Sequence, residues 1–231
     1  MQVNFLHQPE MAVAHLILEP NEEVLAQAGA LIAMKGNLQT QTLLRRGSEV
    51  AKLPKVSATQ IKSLFLNSFK ADDQGGELLL APPLVGNLVC YRLSQYKLII
   101  RHSSYLASSS SIEIFVGFQS FKSQMKAEKS TWLSLFGDGL VLMSALGGLY
   151  EITIDHSYRI NLEHVVAFEN SLRAKILPRQ KSWLLPFASG QETLCEFKGE
   201  GKLFCQTHRP KAMAKALSLG LKPAHFKLSP P

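Results

Sequence analysis

Histidines are the residues of this chain with the clearest capacity for chemistry, because imidazole serves both as a metal ligand and as a general base. A metal site on adjacent β-strands needs a His-x-His pair, a nearby Glu and a later His, so that three or four ligands converge. No two of the seven histidines have this spacing. The densest group is His164 with Glu163 and Glu169, but adjacent residues of a strand point to opposite faces, which favours a structural histidine. We therefore predict no metal site and no cofactor. The histidines are His7, His15, His102, His156, His164, His208 and His225.

The candidate nucleophiles also lack a supporting pattern. The cysteines Cys90, Cys195 and Cys205 form no Cys-x-x-Cys pair, and Gly-x-Ser-x-Gly is absent from the sequence. Cys195 and Cys205 could form a disulfide in principle, but an odd and sparse count is more typical of reduced, buried thiols. The sequence thus predicts a protein that is not an enzyme, with no catalytic residues and no identified small-molecule substrate.

Basic residues are concentrated toward the C-terminus. The formal net charge is +7, and residues 147–231 contain twelve basic and seven acidic residues, whereas residues 1–85 contain seven basic and eight acidic ones. A basic surface attracts phosphates or anionic lipid through counterion release. A solvated charged face that keeps the protein soluble gives the same composition. The candidate binding face comprises Arg173, Lys175, Arg179, Lys181, Arg209 and Lys211.

Internal similarity indicates how the chain is organised. Aligning Ala33, Ala107 and Ala167 gives spacings of 74 and 60 residues between three similar apolar segments. A second landmark recurs at spacings of 67 and 61 residues, in Phe69, Phe136 and Phe197. Two landmarks with nearly the same period predict three copies of one β unit. The predicted boundaries are residues 1–85, 86–146 and 147–207, followed by a basic, Pro-containing helix or tail at 208–231.

Each half of a predicted unit has the pattern of a β-hairpin. Apolar residues alternate with period two, and the turns Gly137-Asp138-Gly139 and Gly199-Glu200-Gly201 supply glycines that tolerate positive φ. A phosphate-binding loop would lead into a helix, whereas an apolar strand follows each of these turns. The best helix candidate is residues 210–220, which begins with Pro and ends with Gly.

Five further motifs carry a resemblance to a known family. They are Leu18-Glu19-Pro20-Asn21-Glu22, Ala28-Gly29-Ala30-Leu31-Ile32-Ala33-Met34, Leu80-Ala81-Pro82-Pro83-Leu84-Val85-Gly86, Ser104-Tyr105-Leu106-Ala107-Ser108 and Glu163-His164-Val165-Val166-Ala167-Phe168. With these motifs the chain resembles, over about residues 10–208, the mitochondrial biogenesis family named for altered inheritance of mitochondria. The resemblance implies an all-β fold in which a double-stranded β-helix unit, like that of the tryptophan RNA-binding attenuation protein, is repeated three times about a pseudo-threefold axis. It implies a fold and no site, since the family lacks an established catalytic activity.

The sequence departs from the family after the first hairpin. Members usually have a double-glycine segment there, whereas this chain has Leu43-Leu44-Arg45-Arg46-Gly47. The conformation of residues 35–55 is therefore left open, with Arg45 and Arg46 expected in an exposed loop.

Two hypotheses for function follow. The first is a non-enzymatic binding or scaffold protein that supports membrane-associated complexes, as the family name implies, because stacked β units leave edges that favour closure or oligomerisation. Its partners would be other proteins or further copies of the chain. The second is single-stranded RNA binding through the basic C-terminal face, although Trp183 alone lies near the basic run to stack on bases. Peripheral membrane contact through the basic helix is a further option.

Targeting signals are not evident in the sequence. No stretch reaches the roughly 18 apolar residues that a membrane span needs, and the N-terminus has no basic leader followed by an apolar core. We predict a cytoplasmic protein. The sequence does not define its partner, its biochemical activity or its oligomeric state.

Overall fold

Strands account for most of the structure, as the alternating apolar patterns predict. The predicted hairpins are wrong, because the strands that flank the glycine turns pair with other strands and not with each other, and Gly137-Asp138-Gly139 lies within one continuous strand. A computed structural model describes residues 1–44, 65–116, 132–177 and 193–220. Within these ranges the chain forms seventeen β-strands, two short 3-10 helices and one α-helix. All strand pairings between named strands are antiparallel. The all-β class is therefore confirmed.

The first segment, residues 1–85, contains seven strands in its described part. Every second residue of β2 is buried, since the side chains of a strand alternate between its two faces. Arg45 and Arg46 lie outside the described residues. The strands are β1 (Gln2–Leu6), β2 (Val13–Leu18), β3 (Glu23–Gln27), β4 (Leu31–Lys35), β5 (Leu38–Leu44), β6 (Phe65–Ala71) and β7 (Gly76–Leu80).

The second segment, residues 86–146, contains two long strands, and the third segment, residues 147–207, contains six shorter ones in its described part. The second contains β8 (Leu88–Arg101), a 3-10 helix (His102–Ser104), β9 (Tyr105–Ser109), β10 (Glu113–Val116) and β11 (Trp132–Ser144). The third contains β12 (Leu149–Ile154), β13 (Ser157–Asn161), a 3-10 helix (Leu162–His164), β14 (Val165–Glu169), β15 (Arg173–Ile176), β16 (Leu194–Lys198) and β17 (Gly201–Gln206). Helix α1 (Pro210–Gly220) follows, with the bounds that the sequence predicts.

The same set of pairings occurs within each segment. In the first, β7 pairs with β2 and β4, and β6 pairs with β3 and β5. In the second, the long β11 pairs with β8 along both halves, with β9 near its C-terminal end and with β10 near its N-terminal end. In the third, β17 pairs with β12 and β14, and β16 pairs with β13 and β15.

An irregularity in the ladder precedes each of the three aligned alanines. The register shifts between Leu31 and Ala33 where β4 meets β7, and between Val165 and Ala167 where β14 meets β17. In the second segment, Tyr105 and Ala107 face consecutive residues of β11. Each shift leaves one extra residue on its strand, which is a β-bulge that bends the strand and redirects its side chains.

The aromatic landmark is less regular than the alanine landmark. Phe69 and Phe197 are buried, with exposures of 1% and 0%. Phe136 differs from them, because it is 37% exposed and the preceding Leu135 is buried. The pairing of β11 with β8 shifts in register between Phe136 and Asp138, within the continuous strand β11.

Close approach, as well as turn geometry, explains the turn glycines. Gly137 and Gly199 have φ of 133° and 123°. A Cβ on Gly137 would lie 2.5 Å from the carbonyl oxygen of Ser111, and one on Gly199 would lie 2.9 Å from that of Ser171. A side chain at either position would collide with the neighbouring loop, so each turn packs directly on backbone.

Two strand pairings join the segments. β3 pairs with β9, which places Ala26 opposite Ala107. β8 pairs with β14, which places Ile100 opposite Ala167. One ladder therefore runs through all three segments in the order β12-β17-β14-β8-β11-β9-β3-β6-β5. The remaining strands form two smaller sheets, β1-β2-β7-β4 and β13-β16-β15, with β10 attached to β11.

Side chains cross each joint into the core of the preceding segment. Leu106 of β9 belongs to the buried cluster that contains Val24 and Phe69 of the first segment. Val166 of β14 belongs to the cluster that contains Leu98 of the second segment. The segments consequently share cores as well as hydrogen bonds, and burial of such side chains stabilises by about 1.5–3 kcal/mol each.

Replacing Phe197 by Ala should destabilise the protein far more than replacing Phe136. The Phe197 ring packs edge-on against Phe168 with centroids 5.1 Å apart, so its removal leaves a cavity and should cost about 3–5 kcal/mol. Phe136→Ala removes a partly exposed ring and should cost about 1 kcal/mol or less. Urea unfolding followed by fluorescence measures both. Equal losses of stability would contradict the burial difference between the two rings.

Candidate functional site

The third segment gathers basic side chains on one face of the sheet β13-β16-β15. Arg173 lies opposite Lys198 and Lys175 lies opposite Glu196, while Arg159 of β13 lies opposite Glu196 on its other side. Directly opposed residues and residues two apart share a face of the sheet. These five side chains therefore form one surface, which we call the basic sheet face.

Two of the six predicted basic residues lie on this face. Arg173 and Lys175 are both exposed on β15. The sequence analysis missed Arg159 and Lys198, whose side chains are 67% and 61% exposed. The signal for Lys198 was its position two residues after Glu196 in a strand, which places both on the same face.

The other predicted residues are located elsewhere or lie outside the described residues. Arg209 and Lys211 lie at the start of α1, a separate element. The ammonium of Lys211 is 3.1 Å from Oε1 of Glu163, next to the 3-10 helix that follows β13. Arg179 and Lys181 lie outside the described residues.

Glu196 organises part of the basic sheet face. Nε of Arg159 donates a hydrogen bond to Oε1 at 3.0 Å, and Nζ of Lys198 lies 3.1 Å from Oε2. The side chain of Glu196 is only 9% exposed. Lys198 and then Arg159 lower the pKa of Glu196 by hydrogen bonding to its carboxylate. One acid thus holds two of the four cations, and the face has an excess of positive charge.

His164 has a structural role in the described structure, as the sequence predicts. Its Nδ1 lies 2.8 Å from the carbonyl oxygen of Gln206. The Gln206 amide in turn donates to the carbonyl of Glu163 at 3.0 Å and accepts from the backbone amide of Leu146 at 3.1 Å. These bonds fasten the last strand to the 3-10 helix and to the end of the second segment. Among the described residues, no group of three or more His, Cys, Asp or Glu side chains is placed to hold a metal ion.

A hydrogen-bonded group lies between the second and third segments. The Tyr91 hydroxyl donates to Oε1 of Glu169 at 2.7 Å and also contacts the Tyr96 hydroxyl. Oε2 of Glu169 accepts from the backbone amide of Lys202 at 2.9 Å. Burial, and then the bond to Tyr96, raises the pKa of Tyr91. Glu169 thus binds Tyr91 of the second segment with one carboxylate oxygen and the Lys202 amide of its own segment with the other.

The cysteines are free thiols in environments that suppress reactivity. Cys195 and Cys205 are buried, as the sequence predicts, and Cys90 is partly buried. Burial raises the pKa of Cys195 and of Cys205 to about 12, and it also raises the pKa of Cys90. Since the thiolate is the nucleophile, these thiols are poorly suited to covalent chemistry at neutral pH.

The first segment presents an apolar strand edge. β4 is the last strand of the sheet β1-β2-β7-β4, and all five of its residues are exposed. Leu31, Ile32 and Met34 are 38%, 55% and 51% exposed. By contrast Leu106 and Val166, the residues before the aligned alanines of the other two segments, are both 0% exposed. We call residues 31–35 the β4 edge.

The strand β13 ends its own sheet in a different way. Leu25 of β3 and Ile99 of β8, in the strands that join the next segment, are 1% and 0% exposed. Arg159 holds the corresponding place in β13, and it is paired with Glu196. Charged side chains on an edge strand oppose the addition of another strand. The sequence analysis expected exposed edges without distinguishing these two, because the apolar segments around Ala33, Ala107 and Ala167 are alike in sequence.

These features define an all-β protein of antiparallel sheets that presents an apolar edge in its first segment and a basic face in its third. The model of the family described as mitochondrial biogenesis AIM24 matches residues 3–208. The chain therefore belongs to the mitochondrial biogenesis AIM24 family, as its motifs predict.

Relatives of the chain are found in bacteria. An uncharacterized protein of Streptococcus pyogenes serotype M6 is 23% identical over 205 residues, which cover 86% of this chain and 82% of the relative. The crystal structure of a Streptococcus pyogenes protein superposes with a TM-score of 0.74 at 20% identity, covering 95% of this chain and 99% of the other. At this identity the likeness shows a common fold. None of the helices in the described parts of the chain has the length and apolar character needed to cross a membrane.

The stability that Glu196 provides should depend on pH. Its lowered pKa in the folded state means that the carboxylate stabilises the fold above the ordinary Glu pKa of about 4.3. That contribution should be lost as the pH falls through the lowered pKa. Glu196→Gln should therefore have a lower urea midpoint than the unmodified protein at neutral pH, and the two midpoints should converge in acid. Glu113→Gln, at an exposed position of β10, is the control. A Glu196→Gln deficit that stays constant down to about pH 2 would refute the charge pairing.

Proposed function

We propose that this protein is a non-enzymatic assembly protein of the cytoplasm that holds its partners through the β4 edge. The observation that carries the proposal is the exposure of this edge along its whole length. Contiguous exposed apolar groups mark interaction surfaces. The outer side of an edge strand also presents a row of backbone donors and acceptors to a partner. A role in supporting membrane-associated complexes agrees with the family description.

β4 corresponds to β9 and β14, each of which has a neighbouring strand on both sides. β9 pairs with β11 on one side and with β3 of the preceding segment on the other. β14 pairs with β17 on one side and with β8 of the preceding segment on the other. β4 pairs with β7 of its own segment. Among the described residues, no strand pairs with the other side of β4. An added strand would complete it.

The proposed architecture behind this surface is a triplicated unit. Three copies of a double-stranded β-helix, like the unit of the tryptophan RNA-binding attenuation protein, would follow one another about a pseudo-threefold axis. The repeated pairing scheme and the bulges before Ala33, Ala107 and Ala167 support it. In such an arrangement the third joint would lie between β13 and β4.

The assembly proposal can be tested in extracts of cells that express the full chain. The protein should elute from gel filtration in species larger than its 25.6 kDa mass. Ile32→Lys should shift it toward that mass, because it places a charge on the apolar edge. Leu217→Lys is a matched control, since Leu217 on α1 is also 55% exposed. An unchanged elution of Ile32→Lys would refute the role of the β4 edge.

Binding of single-stranded RNA is the second candidate function, favoured by the excess positive charge of the basic sheet face. Arg173 and Lys175 are its exposed cations on β15, and such a face can track a phosphate backbone. The RNA would have to bind this face with little aromatic stacking. The analogy of fold alone does not establish RNA binding.

Fluorescence anisotropy with labelled single-stranded RNA tests this second candidate at low and at physiological salt. If the face binds RNA, Arg173→Ala with Lys175→Ala should weaken binding, and the slope of log affinity against log salt should fall by about 0.7 for each phosphate that the variant no longer binds. Lys70→Ala with Lys97→Ala removes the same charge from exposed positions elsewhere and is the control. Equal weakening by both pairs, or binding that vanishes at physiological salt, would reduce the face to a solubility feature.

A further inference from the structure

We infer that this protein binds the surface of a bilayer that contains anionic lipid, at the place where the connections between its segments meet. The apolar side chains of Met11, Leu84 and Val85 enter the headgroup region, and the cations of helix α1 bind the lipid phosphates. The inference goes beyond the proposed function and does not depend on the β4 edge. We call Met11, Leu84, Val85 and residues 209–215 the connection surface.

Backbone contacts bring these connections together. The β1–β2 connection meets the β7–β8 connection, because the amide of Ala12 donates to the carbonyl of Gly86 at 3.0 Å. The β7–β8 connection meets the β11–β12 connection, because the amide of Gly147 donates to the carbonyl of Val85 at 3.2 Å. A Cβ on Gly147 would lie only 2.4 Å from Nδ1 of His208, so the residues that lead into α1 pack on the same connection. The three connections and the start of α1 therefore adjoin one another.

Large apolar side chains are exposed on two of these connections. Met11 is 67% exposed, Val85 is 53% exposed and Leu84 is 40% exposed. Their backbone is bonded within the protein, since the amide of Met11 donates to the carbonyl of His7 and the carbonyl of Val85 accepts from Gly147. Binding at these residues therefore draws on their side chains. It suits a partner that offers apolar contact without directed backbone bonds, as the boundary between headgroups and acyl chains does.

Positive charge lies beside these apolar groups. Arg209, Lys211 and Lys215 are at the start of α1, and the sequence from 208 to 231 has five basic residues and no acid. The connections at 7–12, 81–87 and 145–148 contain a single acid, Glu10. Basic segments of this kind are attracted to the negative potential of a membrane surface that contains anionic lipid.

Helix α1 buries little of its own surface against the protein. It has 11 residues, and from Lys211 to Ser218 every residue except the half-buried Met213 is exposed. The ammonium of Lys211, 3.1 Å from Oε1 of Glu163, fastens it to the body of the protein. An isolated helix of this length is marginal in water, so α1 is stabilised by lying on another surface. Lys211 and Lys215 are one turn apart on one face, which directs both cations toward the same partner.

An anionic bilayer fits this surface better than a folded protein or RNA does. The anchors of protein interfaces are enriched in Trp and Tyr, whereas the exposed anchors here are Met11, Leu84 and Val85. RNA would contact the cations but would leave these aliphatic groups in water, since bases stack on aromatic rings. A bilayer surface engages both kinds of group, because its affinity combines buried apolar area with attraction to anionic lipid.

Cosedimentation of the full-length protein with vesicles tests the inference. Vesicles of phosphatidylcholine mixed with phosphatidylglycerol should bind the protein, and vesicles of phosphatidylcholine alone should bind it much more weakly. Val85→Gln should lower the partition coefficient on the mixed vesicles about fivefold, because less apolar area is buried. Lys215→Gln should lower it about fivefold at low salt and less at physiological salt, because salt screens the attraction to anionic lipid.

Phe136→Gln and Lys70→Gln are the matched controls. Phe136 is 37% exposed on β11 and Lys70 is exposed on β6, and both lie outside the connection surface. Both variants should bind the mixed vesicles as the unmodified protein does, and urea unfolding checks that all four variants are folded. No binding to the mixed vesicles at low salt, equal binding to the two kinds of vesicle, or equal weakening by the controls would overturn the inference.

The inference and the proposed function fail separately. Ile32→Gln should leave vesicle binding unchanged, and an effect as large as that of Val85→Gln would move the lipid-binding surface to the β4 edge and overturn the inference. If the vesicles do not bind the protein but Val85→Gln shifts its elution from cell extracts, the connection surface holds a protein partner instead. The assembly proposal is decided by Ile32→Lys in extracts, whatever the vesicles show.

Discussion

The structure depends on one constraint, which is that the backbone hydrogen-bonding groups at the edge of every β-strand must be paired, covered or protected. Within the chain the joints β3–β9 and β8–β14 meet this constraint and carry the ladder from one segment to the next. The same joints bring Leu106 and Val166 into the core of the preceding segment. The same two joints therefore provide both hydrogen bonds and apolar burial. They hold the three segments in a series, and among the described strands none pairs with the outer side of β4 or of β13.

The two ends meet the constraint in different ways. At β13, Arg159 and Glu196 stand where β3 and its neighbour β6 have Leu25 and Ser68. This difference in sequence makes the surface of β13 charged and solvated, whereas the corresponding surface of β3 is buried in a joint. At β4 the apolar residues of a joining surface remain, with Lys35 as the one charge within the strand. A solenoid-like series needs polar outer faces at both ends to stay monomeric, and only the β13 end is built in this way.

Sequence reasoning was accurate where the residue pattern itself determines the structure. The alanine landmark was informative because each of Ala33, Ala107 and Ala167 follows a bulge in its strand. The phenylalanine landmark was off by one residue at Phe136, where Leu135 is the buried side chain. A register shift that leaves an extra residue on β8 follows directly in the β11–β8 ladder. Long-range register is a property of strand pairing, so the meeting of Arg159 and Lys175 across Glu196 could not be read from spacings along the chain.

Polar groups fasten the second and third segments to each other. Glu169 accepts a hydrogen bond from Tyr91 across the second joint and another from the Lys202 amide within its own segment. Gln206 links the close of the second segment to the 3-10 helix before β14. Buried polar networks whose members are satisfied fix one relative arrangement of the elements they connect. The polar residues considered for chemistry, Glu163, His164 and Glu169, therefore act as fasteners within and between segments. The proposed capacity for binding lies instead at the β4 edge, which among the described residues has a neighbouring strand on one side, β7.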